Sequence, residues 1–188
     1  MKTLQTIQKT FGVFKVLAKV AETLCIIGAA VFGVVALCAA TQYNGGHVFS
    51  LMGEPLKLFA DGTNLLQKHV ELLSTTFMLI AEAILFGLSH SYLKSELADG
   101  TPFTEQGAER LRKLGIRFIW IPIVAIAVSE AVAAWQGVKS IGEIGNLGSA
   151  MTGIVLILVS LIFRYGAELE RRNQKRAAEL KQNDLEEQ

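Results

Sequence analysis

Apolar residues in this chain gather into four long runs, separated by stretches where turn formers and charges take over. Residues 23–40 (TLCIIGAAVFGVVALCAA) carry no charge, and 73–92 are interrupted only by Glu82. Residues 114–135 hold Arg117, Pro122 and Glu130, and 147–165 hold only Arg164. Each run is close to the ~20 residues that a helix needs to cross the hydrocarbon core of a bilayer. The pattern predicts an all-α integral membrane four-helix bundle.

Three further segments complete the organisation. Residues 1–22 form an amphipathic leader in which Lys2, Lys9, Lys15 and Lys19 alternate with Leu4, Phe11, Val13, Phe14 and Leu17, a pattern suited to the membrane surface. The leader is long and charged, and the apolar run after it exceeds a signal-peptide core, so 23–40 reads as a span and not as a cleaved signal. Residues 41–73 are the longest connection, punctuated by Asn44-Gly45-Gly46 and Glu54-Pro55. Within it, 56–59 and 65–73 read as short amphipathic pieces packing on the outer face. The membrane domain thus covers 23–166, and 167–188 is a charged helical tail. In that tail the Glu168/Arg172 and Lys175/Glu179 pairs stand four residues apart, and Leu169, Ala177, Leu180 and Leu185 form no heptad seam.

Composition agrees with the runs. Hydrophobic residues make up 51% of 188, with a mean hydropathy of +0.40, so much of the apolar surface must face lipid. The net charge of +1 points to no nucleic-acid partner; the distribution of charge is what informs. Fifteen of the 18 basic residues lie in the leader, the segment 94–117 and the tail from Arg164, and only Lys57, Lys68 and Lys139 lie in the other two connections. Basic residues are enriched on the cytoplasmic side. Both termini are therefore expected inside a cell membrane crossed four times. Tyr43 and Trp135 outside, and Tyr92 and Tyr165 inside, fall where interfacial aromatics belong. Cys25 and Cys38 stand 13 residues apart on one helix, too far to form a disulfide.

The segment 99–115 (DGTPFTEQGAERLRKLG) is the pivot between the two halves. Asp99, Gly100 and Pro102 are turn formers, and Thr104 suits the cap of a helix that carries Glu105 first and Arg110, Arg112 and Lys113 later. Phe103 is apolar within a polar loop; it either staples the following helix or meets a partner. The basic cluster 110–117 suits an acidic partner surface or anionic headgroups, and its topogenic role alone would also account for it.

Polar groups inside the spans carry the remaining chemistry. Glu82 lies ~14 Å from the outer end of its span and Glu130 ~8 Å from the outer end of the next. If the two face each other, repulsion and desolvation favour a protonated carboxyl able to donate or relay a proton. The plainer reading makes each a hydrogen-bonded contact between helices. His90 stands near an inner helix end, and His47, His69 and His90 have no spacing that gathers a metal. Neither a cofactor nor a metal is expected. No metalloprotease, nucleophile-elbow, phosphate-loop or dinucleotide motif occurs, so the chain does not read as an enzyme. Pro122 should bend its span, and Ala29/Gly33, Ser129/Ala133 and Ser149/Gly153 are small pairs that let helices approach.

The hinge words Gly100-Thr-Pro-Phe-Thr104 and Arg110-Leu-Arg-Lys-Leu-Gly115, with the exit from the fourth run, Leu156-Ile-Leu-Val-Ser-Leu-Ile-Phe-Arg-Tyr-Gly-Ala-Glu-Leu-Glu170, resemble an uncharacterised family of bacterial four-pass membrane proteins. The resemblance covers roughly 11–172. Its members are often encoded beside a small Cro-type helix-turn-helix repressor. The resemblance implies a sensor or regulatory partner of a cytoplasmic DNA-binding protein, in a bacterial cytoplasmic membrane. The tail here is longer and more charged than the family's ending. The alternatives are a small transporter, channel or immunity-type protein using Glu82 and Glu130, and a structural membrane protein; homo-oligomerisation is compatible with all three.

Overall fold

The computed structural model describes residues 2–44, 50–51, 54–55, 59, 64–99, 105–138 and 147–186. Four helices dominate: α1 (Lys2–Tyr43), α2 (Leu65–Asp99), α3 (Glu105–Trp135) and α4 (Leu147–Glu186). Two short strands, β1 (Ser50–Leu51) and β2 (Glu54–Pro55), pair antiparallel in the first connection. The fold is an all-α four-helix bundle, and all four helices are long and apolar enough to cross a membrane. At most 22% of the apolar window of any one helix is buried inside the protein. Water would not tolerate so much open apolar surface, and lipid does.

The helices pack in chain order, α1 on α2, α2 on α3 and α3 on α4, with the α1–α2 interface the most extensive. Among the described residues α1 forms no extended interface with α3 or α4, so the bundle is open. One end carries the α2–α3 hinge and both termini; the other carries the α1–α2 and α3–α4 connections. These are called the hinge end and the loop end.

The helix ends follow from local chemistry. Asn64 caps α2, its Oδ1 accepting from the Gln67 N–H at 3.2 Å. Gly137 stops α3 with a φ of 69°, which glycine adopts without strain. The Gly137 N–H donates to Ala134 O at 3.1 Å and the Val138 N–H to Ala133 O at 3.0 Å, a Schellman closure that satisfies two terminal carbonyls.

Two boundaries differ from the sequence expectation, those of the first and second helices. Residues 2–22 do not separate from the first span; Lys2–Tyr43 is one helix of 42 residues, and Ala18 in the leader is buried. Its ~63 Å length exceeds a ~30 Å hydrocarbon core. Residues 65–73 are the first turns of α2 and not a detached surface piece. Pro122 lies buried within α3, and the helix runs through it. The tail is helical to Glu186, and Arg172 Nη2 meets Glu168 Oε1 at 2.7 Å.

The α3–α4 register is offset. Spans of equal depth would set Val124 opposite Leu156, the middles of 114–135 and 147–165. Instead Gly115 meets Gly153 and Ile157. A Cβ on Gly115 would stand 2.8 Å from Gly153 O, and one on Gly153 would stand 2.7 Å from Gly115 O, so backbone touches backbone there. Relative to equal depth, α4 is displaced about ten residues, ~15 Å, toward the hinge end.

Candidate functional site: the hinge end of the bundle

The hinge end brings together groups from three helices. Glu96, near the close of α2, is 2% exposed as a residue, and its side chain is fully shielded. Arg110 of α3, beyond the hinge, places Nη1 4.0 Å from Glu96 Oε1 while its own side chain stays 41% exposed. One turn before Glu96, Tyr92 buries its hydroxyl, which has no hydrogen-bond partner among the described residues. A shielded carboxylate facing a guanidinium fixes the first turns of α3 against the last turns of α2. Ala108, Leu111 and Leu114 are buried along the same stretch of α3.

Beside this ion pair, α3 and α4 enclose a cleft of about 790 Å³. Its polar lining includes Arg110, Arg112, Lys113 and Arg164, and Ile157 and Leu161 contribute its apolar lining. Glu109 lies 3.9 Å from Arg112 and 3.8 Å from Lys113, distances at which half-exposed pairs contribute little. Arg164 has no ion-pair or hydrogen-bond partner among the described residues.

The α1–α2 interface holds several polar groups. His90 Nδ1 stands 3.0 Å from Lys15 O, and His69 Nδ1 stands 2.8 Å from Ala36 O. A carbonyl only accepts, so both rings must carry their proton on Nδ1. Between them the Glu22 carboxylate lies over Gly87, while Lys19 meets it at 3.0 Å, and the Cys25 thiol donates to Glu82 Oε2 at 3.9 Å. Glu82 therefore faces α1 and is tied to a thiol there, and no hydrogen bond joins it to Glu130 among the described residues. Glu130 is half-buried, beside Ser129, whose hydroxyl donates to Ala125 O at 2.9 Å.

At the loop end, Tyr43 and Asn44 of the α1 terminus, His69 of α2 and Gln136 after α3 line a smaller cavity of about 200 Å³. No group of three His, Cys, Asp or Glu residues gathers as a metal site among the described residues. Both cysteines are free thiols and buried.

Of the residues singled out from sequence, Arg110, Arg112 and Lys113 meet at the hinge-end cleft. Gly100, Pro102, Phe103 and Thr104 lie outside the described residues. His90 is a link between helices, and Tyr92 is no simple interfacial aromatic, because its hydroxyl points inward. Glu96 was not anticipated, and Arg164 was read from the sequence only as a basic residue at the inner end of its span. Helical spacing would have exposed Glu96: Ala81, Leu85, Tyr92 and Glu96 follow one stripe, and the first two are buried. No protein-family model, curated protein or solved structure matches the chain. The family resemblance of the hinge and of the α4 exit therefore rests on those words alone.

Proposed function

We propose that this chain is a regulatory protein of a bacterial cytoplasmic membrane, with both termini and the hinge inside the cell. In this reading, events at the membrane or the outer loops change how the hinge meets a cytoplasmic DNA-binding partner. The observation that carries it is the shielded Glu96 carboxylate facing Arg110 across the hinge. An ion pair with a shielded carboxylate at a connection couples the connection to the packing of the spans, so a small shift between α2 and α3 must also move the hinge. The partner class, a small helix-turn-helix repressor, comes from the family resemblance, and the orientation from the asymmetry of basic residues. The contact of Glu82 with Cys25 favours a packing role for that carboxylate over an ion path.

The test is capture of the full chain from native membranes in mild detergent, with identification of co-purifying proteins for wild type, Phe103→Ala and Arg110→Gln. A small DNA-binding protein recovered with wild type and lost with the variants is the expected result. Recovery of no cytoplasmic protein from any of the three would sink the proposal.

A further inference from the structure

We infer that the cleft between α3 and α4 holds the headgroup phosphate of an anionic phospholipid drawn from the leaflet at the hinge end. The inference rests on the register of the two helices and is independent of any protein partner.

The Gly115–Gly153 contact displaces α4 toward the hinge end, and this decides what stands beside the basic residues of α3. Arg110, Arg112 and Lys113 share their level with Ile157, Ser160 and Leu161 of α4. On its open side α4 presents Leu158, Leu161 and Ile162 at that level, 55%, 52% and 67% exposed. Those side chains need lipid, so acyl chains must reach the depth at which α3 carries Arg112 and Lys113, while Arg110 faces Glu96. A cation at the edge of hydrocarbon is costly unless it reaches water or meets an anion. One molecule satisfies both demands: an amphiphile whose chain lies on Ile157 and Leu161 and whose phosphate meets the cations.

The charges of the cleft favour such a ligand. Glu109 offsets only part of the charge of Arg112 and Lys113, from 3.9 and 3.8 Å. Arg164 closes the cleft from α4, with no acidic partner among the described residues. A guanidinium offers paired N–H donors that match phosphate oxygens, and a lysine beside it adds a point charge. The volume of about 790 Å³ admits a headgroup together with the first part of its chains. Ser160 does not compete for the ligand, because its hydroxyl donates to Ile157 O at 2.6 Å.

The experiment uses the full chain, delipidated in a non-ionic detergent and titrated in turn with phosphatidylglycerol, phosphatidylcholine and glycerol phosphate while thermal unfolding is followed. Phosphatidylglycerol should raise the Tm saturably, and the other two should not. Arg164→Gln should weaken the apparent affinity about fivefold, the effect of one cation near a membrane surface. Arg164→Lys should keep most of it, and Arg171→Gln, an equal change of charge on the exposed tail, should keep all of it. Arg164→Lys also provides a folded comparison should Arg164→Gln prove unstable without lipid. Equal stabilisation by phosphatidylcholine would overturn recognition of the anion. Saturable stabilisation by glycerol phosphate alone would make the ligand a soluble phosphate, and an equal loss in Arg171→Gln would reduce the effect to general surface charge.

Discussion

Replacing Gly153 with alanine places a methyl carbon 2.7 Å from Gly115 O and 2.7 Å from Ile119 Cγ1, with Phe118 Cβ at 3.1 Å. Side chains can turn aside, but a helix carbonyl cannot, so α3 and α4 must separate. Overpacking of this kind costs about 1–3 kcal/mol. The substitution also gains roughly 1 kcal/mol of helix propensity, which hides part of the clash. Gly12→Ala isolates the propensity term, because a Cβ at Gly12 meets nothing within 4 Å. The expected outcome is that Gly153→Ala lies ~1–3 kcal/mol below Gly12→Ala in stability. In a bilayer no hydrophobic driving force between helices compensates, since a helix face loses little by meeting lipid. The assay is unfolding in mixed micelles with added dodecyl sulfate, followed by tryptophan fluorescence. Both tryptophans, Trp120 and Trp135, lie on α3, so the signal reports the helix that is displaced. Gly153→Ala matching or exceeding Gly12→Ala would refute the backbone contact, and with it the register that builds the cleft.

Two further outcomes test the polar contacts. Arg110→Gln should destabilise the chain by roughly 3 kcal/mol in the same unfolding assay, and clearly more than Glu96→Gln. The first removes the guanidinium that faces a fully shielded carboxylate, whereas the second leaves a guanidinium that is 41% exposed and can turn to water; equal costs would refute this asymmetry. The rings of His69 and His90 should both show the Nδ1-protonated form in nitrogen NMR of labelled protein near neutral pH. A signal from the Nε2-protonated form at either ring would contradict its contact with Ala36 O or Lys15 O.

What the sequence determined by itself is the number and type of the helices long and apolar enough to cross a membrane. Hydrocarbon demands about twenty apolar residues and leaves no backbone group unpaired, so composition along the chain is enough to mark a span. The hinge was legible for the same reason, as the place where turn formers and charges displace apolar residues, and the structure begins α3 at Glu105, one residue after the expected cap. The continuity of the leader with α1 was hidden because Lys15 and Lys19 look like the polar face of a surface helix. They are compatible with a long helix because Lys15 contributes its backbone carbonyl to His90 and Lys19 reaches Glu22.

Tertiary structure alone decided which polar groups meet. Glu82 and Glu130 invite pairing by depth, yet the rotation of α2 turns Glu82 to Cys25 on α1. The α3–α4 offset has no marker in hydropathy, because it depends on two glycines, thirty-eight positions apart, whose missing side chains let backbones touch. That contact is a matter of shape at ångström scale, and hydropathy averages over a whole turn. It is also what sets Arg164 beside Arg112 and Lys113, so the basic cleft exists only once the chain has folded.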